Sequence, residues 1–107
     1  MKPVEFLGNS LDDLRRFPRG ARRAAGFQLD KLQRGLDPDD WKPMKTLGAG
    51  VSEIRVRDAA GAFRVIYFAR LAEAIFVLHC FEKKSRRTPT TDLEIARRRF
   101  RQLVGRY

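Results

Sequence analysis

A chain of 107 residues with 43% hydrophobic positions and eight phenylalanines suffices for one domain, residues 1–107, whose modest core needs no disulfide or metal. Twenty-three lysines and arginines against thirteen acids give a formal charge of +10, which favours a polyanionic partner through counterion release and steering. A single histidine, His79, and a single cysteine, Cys80, exclude a disulfide framework and argue against a structural zinc site, which needs about four sulfur or nitrogen ligands.

In chain order, Val4–Leu7 alternates weakly and predicts a short first strand. Ser10-Leu11-Asp12-Asp13 resembles a capping box with Asp where Glu is usual, so a short helix is expected from there. From Pro18 to Gly35 the apolar positions Ala21, Ala24, Ala25, Leu29, Leu32 and Leu36 recur at helical spacing, with Arg22, Arg23, Asp30, Lys31 and Arg34 interleaved. Gly35 supplies a stop and Asp37–Asp40 a turn. Trp41–Gly50 has no clear period. Val51–Arg57 then alternates as a strand, with Ile54 and Val56 on one face and Glu53, Arg55 and Arg57 on the other. Asp58–Gly61 is a turn, which makes Ala62–Arg70 the second arm of an antiparallel hairpin. Ala74–Phe81 is nearly all apolar and predicts a central strand covered on both faces. Thr91-Asp92-Leu93-Glu94 makes a second capping box, opening a helix with Leu93, Ala96, Phe100, Leu103 and Val104 on one side and its arginines on the other. The expected order is β-α-α-β-β-β-α. This is an α+β domain: a small antiparallel sheet with two N-terminal helices and a C-terminal helix packed on it.

Met1–Phe6 does not read as a signal peptide, and no apolar stretch approaches the ~20 residues of a membrane span. A cytoplasmic protein without a membrane partner is expected. The charge is uneven: Glu82–Tyr107 holds nine basic residues against three acids. Solubility alone explains such a surface less well than a bound polyanion does.

Familiar catalytic sets are absent from this pattern. His79 lies within the apolar strand and is expected to be a hydrogen-bonded structural residue, and Cys80 a buried, inert thiol. Gly48 and Gly50 make no phosphate loop, because no Gly-Lys-Ser/Thr follows. No metal or other cofactor is expected. What the pattern offers is cations. Arg55 and Arg57 share a strand face, Arg64 lies near the start of the next strand within reach of Arg57, and Lys83 and Lys84 leave the third strand. Like charges so close make sense around a phosphate. Such a cluster stabilises the extra negative charge of a pentacoordinate phosphorus while a ribose 2′-hydroxyl attacks, which amounts to metal-free RNA cleavage. Arg55, Arg64, Lys83 and Lys84 are the catalytic candidates, and Arg57, Arg86, Arg87, Lys42 and Lys45 the RNA-binding ones. A solvated basic face that only binds RNA backbone is the plainer alternative. Trp41 is expected to pack as an anchor, with base stacking the alternative.

The ordered segments Trp41–Gly48, Glu53–Arg57, Phe63–Tyr67, Leu78–Lys84, Thr88-Pro89 and Glu94–Ala96 resemble the RelE/ParE toxin superfamily, nearest its HigB-like, phage-derived branch. The resemblance implies a RelE-like fold and a type II toxin that cuts mRNA on the ribosome. Its partners would be mRNA, the ribosome and a cognate helix-turn-helix, HigA-like antitoxin. It also places cations at Arg55 and Arg57, Arg64, and Lys83 or Lys84. A ParE-like gyrase inhibitor and an inactive binding module are the alternatives within that fold, and the retained cations favour the nuclease. RelE has a C-terminal tyrosine active in proton transfer, whereas Thr90 stands at a similar distance here. The general base is therefore open, with a lysine whose pKa is lowered by neighbouring cations as one candidate.

Overall fold

The computed structural model describes Met1–Tyr107. Its elements are β1 (Val4–Phe6), α1 (Ser10–Arg15), α2 (Arg19–Gln33), β2 (Trp41–Pro43), β3 (Val51–Asp58), β4 (Gly61–Phe68), β5 (Ile75–Lys83) and α3 (Thr90–Val104). They form the expected α+β domain, consistent with a RelE-like fold. The sheet has five strands in the order β1-β5-β4-β3-β2. It is mixed where an antiparallel sheet was expected, because β1 lies parallel to β5. No helix is long and apolar enough to cross a membrane.

Alternation along the hairpin divides the core between the two faces of the sheet. Ile54, Val56, Phe63, Val65 and Cys80 pack beneath Leu14 and Phe17 and the Ala21, Ala25, Leu29 and Leu32 stripe of α2. Val51, Ile66, Phe68, Phe76 and Leu78 pack beneath Ala96 and Leu103 of α3, with Leu47 from the β2–β3 connection. A bulge where Ile66 and Tyr67 meet β5 leaves Leu78 without a ladder partner, so that Leu78 and His79 both contribute to the α3 side. The second face is covered only in part. Toward the β3–β4 turn this face becomes polar, with Glu53, Arg55 and Arg57 on β3 and Arg64 on β4.

Strand β2 is absent from the sequence reading for physical reasons. It has three residues, all exposed, and too little length to show a period. Ladder bonds from Arg55 N–H to the Asp40 carbonyl (2.8 Å) and from Met44 N–H to the Val51 carbonyl (2.8 Å) flank Pro43. Pro43 therefore sits at a non-hydrogen-bonded position of an edge strand, where its missing N–H costs no ladder bond.

Neither expected capping box forms. The N-cap of α1 is Asn9 and that of α3 is Pro89, neither with a side-chain cap. Ser10 Oγ donates instead to the Val77 carbonyl (3.3 Å), whereas α3 opens before Thr91 can cap it, and Asp92 in its first turn pairs with His79. Beyond Val77, β1 no longer covers the edge of β5. Arg99 closes it by reaching from α3 to donate Nη1 to the Leu78 carbonyl at 2.9 Å. Arg99 thus leaves the solvent face assigned to it by helical spacing, and Leu36 leaves the apolar stripe, being exposed past the end of α2.

Gly8 has φ +55°, and a Cβ there would meet the Arg99 guanidinium at 2.5 Å. Gly26 is helical with nothing within 4 Å of such a Cβ. Gly8→Ala should therefore destabilise the fold by about 1–3 kcal/mol, whereas Gly26→Ala should stabilise it by about 0.5–1 kcal/mol. Urea midpoints at unchanged slope measure both, and equal shifts of one sign would refute this account.

Candidate functional site

The turn at Asp58–Gly61 sets the register of the hairpin, and that register places Arg55 directly opposite Arg64. Arg57 falls opposite Ala62, so the neighbour of Arg64 is Arg55, not Arg57 as the sequence suggested. Across the next ladder Arg64 faces Phe81 and Ala62 faces Lys83. The order β5-β4-β3-β2 therefore brings Lys83, Arg64, Arg55, Arg57 and Lys42 onto one face.

These cations are not equivalent. Arg64 is only 8% exposed and lies 3.6 Å from the carboxylate of Glu53, itself 2% exposed. Its Nη1 donates to the Phe63 carbonyl at 3.1 Å, while its Nε and Glu53 Oε2 are buried without hydrogen-bond partners. Burial pulls the Arg64 pKa below its ordinary value; Glu53 opposes that shift, and the nearby Arg55 and Arg57 add to it. Arg55 is half-buried and anchored, with Nε donating to Asp40 Oδ1 at 2.9 Å. Lys42 stands 3.7 Å from Glu53 Oε1. Arg57 is exposed and has no acidic partner. Arg64 is the floor of the cluster; Arg55, Arg57 and Lys42 are its rim.

The remaining candidates lie outside this core. Lys83 is half-buried and donates Nζ to the Arg86 carbonyl at 2.6 Å, which folds the Lys83–Arg86 segment back on itself. Lys84, Arg86 and Arg87 are exposed on the connection between β5 and α3. Lys45 belongs to a different surface, beside Trp41 and Arg70. Trp41 is 39% exposed on the edge strand, more open than a packing anchor.

Two acids that sequence reasoning passed over complete the site. Glu53 alternates with Arg55 and Arg57 on the strand, and that alternation was the available signal for a carboxylate in their midst. Asp40 sat in a segment taken for a turn, and nothing local tied it to Arg55. His79 is buried as expected, with Nε2 2.6 Å from Asp92 Oδ1 and its ring stacked on Phe81 at 5.3 Å. It ties the start of α3 to β5. Burial pushes the Cys80 thiol well above its ordinary range, which makes it inert. Tyr67 belongs to the core, and burial pushes its pKa up to about 12. Its phenol is thus protonated at neutral pH and unsuited to proton abstraction.

Fold and site together define a class: a basic α+β domain with an arginine pair set over a buried glutamate on the open part of a five-stranded sheet. The chain belongs to the family described as Phage derived protein Gp49-like (DUF891), which it matches over residues 12–101. That span runs from α1 into α3 and contains the whole cluster. Comparison with curated proteins finds no match.

Glu53→Gln leaves the Arg64 guanidinium buried without its counter-charge and should destabilise the fold by about 3 kcal/mol. Pairing it with Arg64→Met should restore most of that loss in urea unfolding; no recovery in the double variant would show that the two groups act independently. The folded pKa of Tyr67 exceeds its ordinary value of 10.0. Its contribution to stability is therefore complete below the ordinary value and disappears as pH rises toward about 12. Tyr67→Phe should flatten that alkaline loss, and an unchanged alkaline limb would contradict the assignment.

Proposed function

We propose that this protein is the toxin of a toxin–antitoxin pair and a metal-free endoribonuclease acting on mRNA at the ribosome. The observation that carries this reading is the opposed pair Arg55 and Arg64, with Arg57, Lys42 and Lys83 on the same face of a +10 chain. Membership of a Gp49-like phage-derived family supports it, since phage-borne toxins of this fold are what the sequence resemblance implies.

In this reading the scissile phosphate rests on the rim formed by Arg55 and Arg57. Arg64 acts from beneath, where low solvent access strengthens its field on the charge that develops at phosphorus. Glu53 is a positioning residue that holds Arg64 in place. Asp40 shares the face of Arg55, is half-exposed, and uses only Oδ1 to hold it. Its second oxygen is the accessible carboxylate that takes the proton of the attacking 2′-hydroxyl. The new P–O2′ bond closes a 2′,3′-cyclic phosphate as the P–O5′ bond breaks, and the leaving 5′-oxygen takes its proton from water. Lys83, Lys84, Arg86 and Arg87 bind flanking backbone. The antitoxin is a helix-turn-helix protein that neutralises this basic surface. A gyrase inhibitor of the same fold would have no need of an arginine pair held over a carboxylate.

Arg64→Ala is an unclean probe, because it strands a buried Glu53. The test is therefore Arg55→Ala combined with Arg57→Ala, both side chains having solvent access. On induction in bacteria this variant should lose growth arrest and at least ~100-fold of cleavage, the order expected for removing preorganised charge stabilisation. Its unfolding midpoint should stay near that of the parent. New mRNA 5′ ends from the parent should fall in frame within translated genes. Full toxicity in the double variant, or arrest with intact mRNA, would sink the nuclease reading.

A further inference from the structure

Edge strand β2 presents different chemistry on each face. Lys42 faces Glu53 and the arginine pair, so alternation sends Trp41 and Pro43 to the opposite face, opposite Ile54 and Ser52. There a groove of about 360 Å³ opens, lined by Trp41, Pro43, Lys45, Ser52 and Arg70 among others. Its size falls within the range of small-ligand sites.

Three features of the groove point the same way. The indole is the only one in the chain and is 39% exposed where an apolar ring gains nothing from water. Two cations, Lys45 and Arg70, line the same space, and none of the eight lining residues is acidic. Neither cation forms a salt bridge anywhere in the fold. The seat of Arg70 is also built: Gly50 has φ +88°, and a Cβ there would meet Arg70 Cδ at 2.6 Å. An aromatic face beside two unneutralised cations suits an unpaired nucleotide, whose base stacks while its phosphate is held. A folded helix of RNA offers no free base face to such a site.

We propose that this groove binds one unpaired nucleotide of the RNA strand outside the cleavage cluster, its base on Trp41 and its phosphate between Lys45 and Arg70. The inference rests on RNA being the ligand, as proposed above, but not on the cluster being catalytic. Because β2 is the edge of the sheet, a strand leaving the Arg55 rim can turn round it past Lys42 to reach Trp41.

The single tryptophan is its own reporter. The full chain is titrated with a short 2′-O-methyl oligoribonucleotide, which lacks the attacking hydroxyl and stays whole, while anisotropy of a labelled copy measures total binding. Saturable quenching that tracks binding is expected, with the single strand preferred over the same sequence as a duplex. Trp41→Ala should weaken binding about 5- to 100-fold, and Trp41→Phe should recover part of it. Lys45→Ala and Arg70→Ala should each lower the salt slope by about 1. Binding without quenching, equal affinity for the duplex, affinity unchanged across these variants, or no binding at all would overturn the proposal. The double variant at Arg55 and Arg57 separates the two readings. If it still cleaves mRNA while parent quenching is intact, the cluster assignment falls and the groove stands; if it no longer cleaves and quenching is absent in the parent, the groove falls and the cluster stands.

Discussion

Two guanidinium groups opposed across a ladder repel one another, and everything distinctive about this molecule follows from holding Arg55 against Arg64. The force that holds them comes from the other side of the sheet. Ile54, Val56, Phe63 and Val65 are buried on the reverse face under α2 and the Phe17 ring, which meets Phe63 at 4.8 Å. A slip of one residue would turn that whole apolar set outward, so the register is not free to relax the charges. The core dictates the ladder, and the ladder dictates the arginine pair. Glu53 and Asp40 then divide the repulsion, one from within the sheet and one from its rim. Arg57 remains without an acidic partner, and the surface above the pair keeps a net positive field.

The same economy of charge explains why basic residues of one helix have different fates. Strand β1 covers β5 only as far as Val77, and an open strand edge with free carbonyls is a liability. Arg99 crosses to that edge, passes the backbone at Gly8 and satisfies Leu78. Burial lowers its pKa, the consequence of taking a guanidinium out of water for a structural task. Arg98 and Arg101 stay exposed on the outer side of α3. Net charge alone treats these residues as equals, although Arg99 is committed to a backbone carbonyl and Arg98 and Arg101 face solvent.

How much of this was legible in the sequence depends on whether each residue's partner was local. Strand β3 and the two long helices declare themselves by period, β4 by the turn that precedes it, and β5 by an unbroken apolar run, because a strand buried on both faces carries no alternation. The cations on β3 and β4 were legible through the same signals. The three-residue edge strand was not, since neither length nor burial writes a pattern into it. The misread capping boxes are more instructive. Ser10 has the right chemistry for a helix start, but the Val77 carbonyl competes for it from 67 residues away. Sequence spacing has no access to that competition. The arginine pair itself was recoverable: once Asp58 and Gly61 close the turn, counting back along both arms puts Arg64 against Arg55.

Strand β2 is the edge of the sheet where its two faces differ most in chemistry. Along most of their length the interior strands β4 and β5 commit both faces to packing, and their cations Arg64 and Lys83 come only toward the β3–β4 turn and the end of β5. An edge strand anchored by one neighbour keeps both faces free. Lys42 joins the charged cluster on one side and Trp41 opens onto the groove on the other, with Pro43 blunting the edge against pairing with another chain. Two residues adjacent in sequence thereby address opposite surfaces of the sheet. A flexible single strand can follow such a path, and a rigid duplex cannot. A three-residue edge strand thus borders both the charged cluster and the groove.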